Sequence, residues 1–340
     1  MLATRHPTPD EHKMNRSTTR QRSSFQRLLL ALALSSFAAC AQTEEPPAET
    51  PPNETGETNE LDPRCLPTHP EFPPAVLPSG TTARACLEDV DCTDVYVVAH
   101  RGDRQHGAPE NSLQGMRDAA ADGVPFVEVD LRTTADGVVV NMHDGNLQRT
   151  VGVDINVSDV TWDELKDYTL KSEEGVEYSI PTFDEILTLA KELDLALYLD
   201  IKDVRPDLLA DTLEAHNAFD IALARAGTYE QLIALHDADD RFWIMYSVES
   251  LEQLQAGKDV VPSVMLAEIS LDRPVSLIRE IRDAGFHVQQ DVMGTGDLSW
   301  VFRGSTEMWL NTLDAGLQVP QSDQPGSLVS IVCDRMLRGE

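Results

Sequence analysis

The strongest constraint on the fold is an alternation that begins near Asp94 and continues to the C-terminus. Short runs of β-branched or aromatic residues alternate there with longer amphipathic stretches. This pattern is typical of parallel β/α units, in which a helix after each strand covers one face of the sheet. The predicted strands are residues 95–99, 126–131, 138–142, 196–201, 220–224, 242–246, 264–269, 287–291 and 318–321.

The length of this part of the chain indicates the architecture. Residues 95–340 amount to about 250 residues, the usual size of one (β/α)8 barrel, so we predict an α/β protein of the TIM-barrel class. Nine strands are predicted where a barrel needs eight, and the segment 264–269 is the first candidate to lie outside it. The predicted helices are residues 112–121, 183–193, 206–215, 229–236, 250–255, 275–284 and 326–337. Residues 144–180 form a longer excursion that we expect to cap the barrel mouth.

Ionisable residues gather where the first four predicted strands end. Alternation along a strand places Glu128 and Asp130 on one face of the second strand, and Asp200 and Lys202 on one face of the fourth. The ends of the first and third strands add His100, Arg101 and His143. Barrel enzymes place their active sites at this end of the strands. Carboxylates suit a hard cation such as Ca²⁺ or Mg²⁺, the basic side chains can neutralise a phosphate, and imidazoles can move protons near neutral pH.

Several short motifs occur along this region in a fixed order. They are His100-Arg101-Gly102, Pro109-Glu110-Asn111-Ser112, Glu128-Val129-Asp130, Asp136-Gly137-Val138, His143-Asp144, Arg149-Thr150, Ile180-Pro181-Thr182 and Ser322-Asp323-Gln324-Pro325. In this order and spacing the chain resembles the glycerophosphodiester phosphodiesterase family from about Val95 to the C-terminus. The resemblance implies a TIM barrel of the phospholipase C-like phosphodiesterase type. It also implies cleavage of glycerophosphodiesters to glycerol 3-phosphate and an alcohol.

The resemblance also implies a role for each matching side chain. Three carboxylates are implied to hold the divalent metal, Ca²⁺ or Mg²⁺: Glu128, Asp130 and Asp200. Four residues are implied to contact phosphate, metal or glycerol: Arg101, Lys202, Glu110 and Asn111. His100 is implied to act as the general base, and His143 to protonate the leaving alcohol.

Two positions depart from the family pattern. The third metal position is usually Glu, and Asp200 is one methylene shorter, so the metal or the strand must shift or a water must bridge the gap. The family's Trp-Thr pair at the end of the seventh strand is replaced by Gln289-Gln290-Asp291, which removes an aromatic wall from the glycerol side. Asp323 is open to two interpretations, the N-cap of the last helix or a contact with substrate.

The N-terminus has the pattern of an export signal. Four arginines between residues 14 and 27 precede a short apolar run over residues 28–37, which ends in small residues and Cys40. Such a run is too short to span a bilayer as a helix. Residues 1–40 therefore read as a signal peptide whose end resembles the lipobox of bacterial lipoproteins, with Cys40 as the lipidated residue. Ordinary signal-peptidase cleavage that discards Cys40 is the alternative.

The next segment predicts a spacer and then a cross-linked extension. Residues 41–62 contain seven acidic residues, four prolines and no lysine or arginine. We therefore predict a disordered tether over residues 41–64 and an N-terminal extension over residues 65–94. Four further cysteines allow three disulfide pairings. The short spacing of Cys86 and Cys92 favours a local loop, which would leave Cys65 to pair with Cys333.

The charge of the chain limits its partners. With 58 acidic and 27 basic residues, the formal net charge is −31, which disfavours nucleic acid and anionic lipid surfaces. We expect a small glycerophosphodiester or lysolipid substrate, and a membrane only through lipid on Cys40. The expected location is exported and anchored, facing the periplasm or the exterior. The alternatives are a phospholipase D-like enzyme acting on lysolipids or sphingolipids, and a non-catalytic surface lipoprotein that binds ligands.

Overall fold

The computed structural model describes residues 60–172 and 174–340. Eight parallel strands close into a barrel, because the first strand pairs with both the second and the last. The barrel strands, numbered with every strand in chain order, are β1 (Val98–Ala99), β2 (Phe126–Thr133), β6 (Ala196–Ile201), β7 (Ala222–Ala226), β8 (Trp243–Ser247), β9 (Leu266–Ile269), β10 (His287–Asp291) and β11 (Val319–Ser322). The predicted TIM barrel is confirmed.

Most of the eleven described helices cover the outside of the barrel; the first packs against the residues that fill the interior, and the third lies in the excursion over residues 144–180. The eleven helices are α1 (Ala83–Glu88), α2 (Leu113–Ala121), α3 (Trp162–Leu165), α4 (Phe183–Glu192), α5 (Pro206–His216), α6 (Tyr229–Ala238), α7 (Leu251–Val260), α8 (Val275–Asp283), α9 (Leu298–Arg303), α10 (Glu307–Leu313) and α11 (Pro325–Arg338). The seven predicted helices are present within a few residues of their expected bounds. The sequence did not indicate α1, α3, α9 and α10; the last two follow a five-residue π-helical turn over Met293–Asp297.

The core has two apolar layers on either side of the barrel wall. Inward-facing residues fill the barrel interior: Tyr96, Val98, Phe126, Ala196, Tyr198, Leu223, Trp243, Met245, Leu266 and Val319. Outward-facing residues of the same strands pack against the helices. Alternation along each strand separates the two sets. In β2 and β6 the interior residues Phe126 and Tyr198 are therefore followed, two positions on, by Glu128 and Asp200.

One of the nine predicted strands lies outside the barrel, and it is not the expected one. Residues 264–269 contribute β9, a full barrel strand. The extra strand is β3 (Val139–Asn141), which pairs antiparallel with the end of β2. A tight turn over residues 134–138 reverses the chain, with Gly137 at φ 88° and Gly137 N donating to Thr134 O at 3.0 Å. A link this short cannot make the crossover that a parallel neighbour requires.

The excursion after β3 has a small core of its own. Its residues pack with the end of β3 into one cluster of seven buried apolar side chains: Val140, Met142, Leu147, Val157, Leu165, Leu170 and Ile180. A two-stranded antiparallel ribbon, β4 (Thr169–Leu170) with β5 (Tyr178–Ser179), closes the excursion. This core holds the segment after His143 against the barrel.

Two disulfides hold the residues that precede the barrel. Cys86 pairs with Cys92, and Cys65 pairs with Cys333 in the last helix. Residues 60–64, which the sequence assigns to the tether, also contact that helix, since Asp62 N donates to Asp334 Oδ1 at 2.8 Å. The predicted signal, Cys40 and the tether up to residue 59 lie outside the described residues. Among the described helices, none combines the length and the apolar character needed to cross a membrane.

Candidate active site

Three carboxylates meet where β2 and β6 run side by side. The strand register sets Asp130 directly opposite Asp200, with Glu128 two residues earlier and on the same face. One carboxylate oxygen from each residue lies within 4.8 Å of those of the other two. Glu128 and Asp130 are buried, and Asp200 is half-buried. The structure therefore brings together the three residues expected to hold a metal.

Two basic side chains partly balance these carboxylates. Lys202 Nζ lies 2.6 Å from Asp200 Oδ2 and 2.9 Å from Asp130 Oδ1. Arg101 Nε lies 3.4 Å from Asp130 Oδ2, and the Arg101 backbone N donates to Glu128 Oε2 at 2.9 Å. Both residues expected to contact phosphate thus border the carboxylate cluster.

The electrostatics of the cluster fit a bound cation. Burial, with the nearby charges of Asp130 and Asp200, raises the pKa of Glu128 well above its ordinary value. Burial would also raise the pKa of Asp130, but Lys202 and the amide of Asn111 stabilise the charged form and hold that pKa below its ordinary value. Three carboxylates facing two cations therefore attract one further positive charge, either a proton on Glu128 or a bound cation.

A buried oxygen of Asn111 is available as a further ligand. Asn111 Nδ2 donates to Asp130 Oδ2 at 2.7 Å. The other side-chain oxygen of Asn111, Oδ1, accepts no hydrogen bond from the described residues, whereas Asp130 Oδ1 lies 2.9 Å from Lys202 Nζ. Unpaired buried oxygens are costly unless a cation or water satisfies them. Oxygen-only donors of this kind suit Ca²⁺ or Mg²⁺, so the residues present fit the divalent metal that the sequence implies.

The loop after β1 adopts a backbone shape that side chains rarely take. Arg101 and Asn111 both have φ near 60°, and Gly102 has φ 84°. Asn111 N donates to Arg101 O at 2.9 Å, which joins the two ends of the loop. A left-handed conformation outside glycine costs about 1–3 kcal/mol. Here it turns the Arg101 and Asn111 side chains onto Asp130.

His100 is held by a residue from the opposite end of the sequence. Its Nδ1 lies 2.8 Å from Asp323 Oδ1, and Asp323 also pairs with Arg104. The backbone N of Asp323 donates to the buried Asp297 carboxylate at 2.7 Å. The N-cap of α11 is Gln324, so Asp323 is not that cap. Its carboxylate is already engaged by His100 and Arg104. Its observed contact is with His100.

His143 is held in a similar way but reaches the site by a different route. The sequence predicted that His143 ends a third barrel strand. This prediction is wrong, because His143 follows β3, which is antiparallel to β2 and lies outside the barrel. Its Nδ1 lies 2.7 Å from Asp144 Oδ1. Arg132 donates to the carbonyl oxygen of His143 at 2.7 Å and 3.0 Å, which fastens this loop to the end of β2.

An arginine of the excursion links the two histidine loops. Arg149 Nε donates to Asp144 Oδ2 at 2.6 Å, and both of its terminal nitrogens donate to Glu110 at 2.7 Å. Glu110 also accepts from Arg101 at 3.2 Å. Burial works against the charge of Glu110, but Arg149 and Arg101 outweigh it and hold its pKa below the ordinary value. Glu110 therefore lies between basic groups and not among the metal-facing carboxylates.

Beside these residues lies an open cavity of about 360 Å³. Its lining includes three basic side chains and the site carboxylate Glu110: Arg104, Gly107, Ala108, Pro109, Glu110, Arg149, Thr150, Lys171 and Ser172. Arg149, Lys171 and Ser172 belong to the excursion after β3, so that excursion forms one wall of the cavity.

The far side of the barrel interior adds charged residues that the sequence interpretation missed. Arg225 Nε donates to Glu268 Oε2 at 2.6 Å, and Tyr198 OH donates to Glu268 Oε1 at 3.2 Å. Arg225 Nη1 lies 3.9 Å from Asp200 Oδ1, so this network continues into the carboxylate cluster. The signal was present, since Arg225 and Glu268 interrupt apolar strands, but the predicted strand 220–224 ended one residue before Arg225.

Comparison with known proteins identifies, along most of the barrel, the family that the sequence motifs resemble. A model of the glycerophosphoryl diester phosphodiesterase family matches residues 100–293. Glycerophosphodiester phosphodiesterase 1 of the mouse, Mus musculus, is 36% identical over 114 residues, which is 32% of this chain and 34% of the mouse protein. The chain thus spans about a third of the length of the curated relatives it matches.

Solved structures show the same fold. A glycerophosphoryl diester phosphodiesterase from Parabacteroides distasonis has a TM-score of 0.65 and 24% identity, covering 76% of this chain and 93% of that one. An Oleispira antarctica phosphodiesterase, solved in complex with sn-glycerol-3-phosphate, has a TM-score of 0.59 and 22% identity, covering 69% of this chain and 96% of that one. With its matched segment spanning more than half of the sequence, this chain belongs to the glycerophosphoryl diester phosphodiesterase family.

Proposed function

We propose that this chain hydrolyses glycerophosphodiesters with the help of a divalent cation and releases glycerol 3-phosphate and an alcohol. One observation carries the proposal: three facing carboxylates share the barrel mouth with two histidines, each held at Nδ1 by a carboxylate. Family membership supports the same reaction, as does the glycerol 3-phosphate bound by the Oleispira protein.

In this proposal the carboxylates hold the cation and the basic side chains bind the phosphate. Glu128, Asp130 and Asp200 would hold Ca²⁺ or Mg²⁺ through oxygen atoms alone. When bound, that cation supplies Lewis-acid polarisation of the phosphoryl oxygen and neutralises developing charge. Arg101 and Lys202 border the same oxygens and bind the remaining phosphate charge.

The two histidines move the protons of the reaction. Asp323 engages Nδ1 of His100, so Nε2 removes the proton of the attacking hydroxyl, which is a water or the substrate's own glycerol hydroxyl. Asp144 engages Nδ1 of His143, so Nε2 delivers a proton to the oxygen of the leaving alcohol. A new bond from the attacking oxygen to phosphorus forms as the bond to the leaving oxygen breaks. When a glycerol hydroxyl attacks, water then opens the cyclic phosphodiester.

A lysolipid is the second candidate substrate, and an exposed apolar helix favours it. Helix α9 follows the carboxyl end of β10, which is the mouth side of the barrel. Its residues Leu298, Val301 and Phe302 are all exposed, and Phe302 is 77% exposed. Exposed apolar groups beside an active site can receive an acyl chain.

A substrate panel with metal add-back separates these functions. Purified protein is stripped with EDTA, resupplied with Ca²⁺ or Mg²⁺, and assayed for choline release from glycerophosphocholine and from lysophosphatidylcholine. We expect release from glycerophosphocholine and little from the lysolipid. The reverse preference, reduced by Phe302→Ser, would favour the second candidate. If neither substrate is turned over with either metal, the remaining hypothesis is a non-catalytic lipoprotein that binds ligands.

We further propose that the protein is exported and anchored through lipid on Cys40. The signal-like pattern of residues 1–40 supports this, as do two disulfides, which persist mainly in oxidising compartments. Expression with a clickable fatty acid in a bacterial host tests it. The wild-type protein should carry the label and be found in the membrane fraction. The Cys40→Ser variant should be unlabelled and absent from that fraction. Unlabelled, freely secreted wild-type protein would contradict the anchor.

A further inference from the structure

We propose that Asp103, His106 and Asp122 form a second metal site, suited to a Zn²⁺-like cation, outside the candidate active site. Asp103 and His106 lie in the loop between β1 and α2, and Asp122 follows the last residue of α2. His106 Nε2 lies 2.9 Å from Asp122 Oδ2. One donor atom from each of the three residues lies within 4.8 Å of the other two.

The cluster contains a buried oxygen that has no hydrogen-bond donor among the described residues. Asp103 is fully buried, and its Oδ1 accepts from Gln105 N at 2.8 Å. Its other oxygen, Oδ2, is buried and receives no hydrogen bond from the described residues. Asp122, also buried, lies beside it and brings a second carboxylate but no donor. An oxygen buried in this way is costly unless a cation, a proton or a water satisfies it.

The charge balance of the cluster supports a ligand of positive charge. Burial and the neighbouring Asp122 carboxylate raise the pKa of Asp103 to about 6, although the hydrogen bond from Gln105 opposes the shift. The hydrogen bond to Asp122 raises the pKa of His106. Two close carboxylates with one imidazole as partner therefore attract either a proton or a metal ion.

The donor types select the class of metal. One imidazole nitrogen with two carboxylate oxygens is a mixed set that suits Zn²⁺, whereas the oxygen-only cluster at the barrel mouth suits Ca²⁺ or Mg²⁺. Zinc bonds of about 2.0–2.2 Å place neighbouring ligands of a tetrahedron roughly 3.3–3.6 Å apart. The 2.9 Å contact of His106 and Asp122 is a hydrogen bond, about 0.4–0.7 Å shorter than this spacing, so the two side chains would separate slightly when zinc replaces the shared proton. The His106 side chain is 50% exposed, which leaves an entry path and room for a water as fourth ligand.

The chain offers a matched control for this geometry. His216 is the last residue of α5, and Asp184 lies in the first turn of α4. The Nε2 atom of His216 lies 2.6 Å from Asp184 Oδ1. This pair belongs to none of the three-donor groups found among the described residues. A histidine–aspartate contact alone should therefore bind zinc no better than the surrounding surface.

Zinc content per chain tests the site directly. The full chain is incubated with Zn²⁺, passed through gel filtration, and analysed for bound metal by mass spectrometry. His106→Gln and Asp122→Asn should each lower the content by one ion per chain, and His216→Gln should leave it unchanged. Glu128→Gln, which alters the acidic cluster at the mouth, should retain the His106-dependent ion. The proposal is overturned if His106→Gln and Asp122→Asn bind as much zinc as the wild type, or if the wild type binds none and the two carboxylates merely share a proton.

Discussion

The carboxylate that holds His100 gives the sharpest prediction about catalysis. Asp323→Asn keeps the shape of the side chain but removes its charge from a contact 2.8 Å from His100 Nδ1. A hydrogen bond to a charged group contributes about 1.5–3 kcal/mol. Since each 1.36 kcal/mol is tenfold in rate, kcat should fall roughly 10- to 150-fold. KM should change little, because the contact orients His100 and does not bind substrate in the proposed mechanism.

The assay and its control follow from the same geometry. Initial rates of choline release from glycerophosphocholine give kcat and KM, and thermal unfolding reports the fold. Asp184→Asn removes the carboxylate of the exposed His216 pair and should leave both rate constants unchanged. The reasoning would be refuted by a folded Asp323→Asn protein whose kcat lies within threefold of the wild type, or by an equal loss in the control.

Three other changes test separate parts of the account. His143→Ala should lower turnover about 10²-fold or more without unfolding the protein, and near-normal rates would remove the general-acid assignment. Replacing Cys65 and Cys333 by serine opens a loop of 268 residues and should lower the free energy of unfolding by about 5 kcal/mol in urea; a loss under 1 kcal/mol would show that this disulfide is not a major constraint. Burial raises the pKa of Asp297 from 3.8 to about 6, so the folded state binds its proton more tightly than the unfolded state. Wild-type stability should therefore rise, relative to Asp297→Asn, by about 2 kcal/mol as the pH falls from 6 to 4, and parallel urea curves would contradict this.

Much of the barrel could be predicted from local patterns. The runs that form β6 and β8 are largely apolar on both faces, as a covered parallel strand requires, and amphipathic stretches follow them. The topology around β3 could not be predicted in this way. Its residues look like any buried strand, and only the tight turn at Gly137 shows that the chain reverses. A short Asp-Gly link such as Asp136-Gly137 favours a tight reversal between two strands, which makes them antiparallel neighbours.

The candidate site was predictable where one strand carries two residues of the same face. Period-two spacing gave the pairing of Glu128 with Asp130, and the parallel register then supplied Asp200. The spacing of residues along the chain could not predict contacts between segments that are far apart in sequence. Asp323 reaches His100 across 223 residues, and the buried Asp297 fixes Asp323 through the fold alone. The same limit hid the cluster of Asp103, His106 and Asp122, because spacing along the chain does not show that Asp122 lies beside the loop that follows β1.

The cation dependence of glycerol 3-phosphate release tests the central claim most directly. Wild type and Glu128→Gln are stripped of metal and titrated with Ca²⁺ or Mg²⁺, and the product is measured with a coupled enzyme. The wild type should pass from inactive to active as one site fills, while Glu128→Gln should stay at least 10²-fold less active at every concentration. Full activity of stripped wild type, or an unchanged titration curve in Glu128→Gln, would contradict a shared cation held by the carboxylates of β2 and β6.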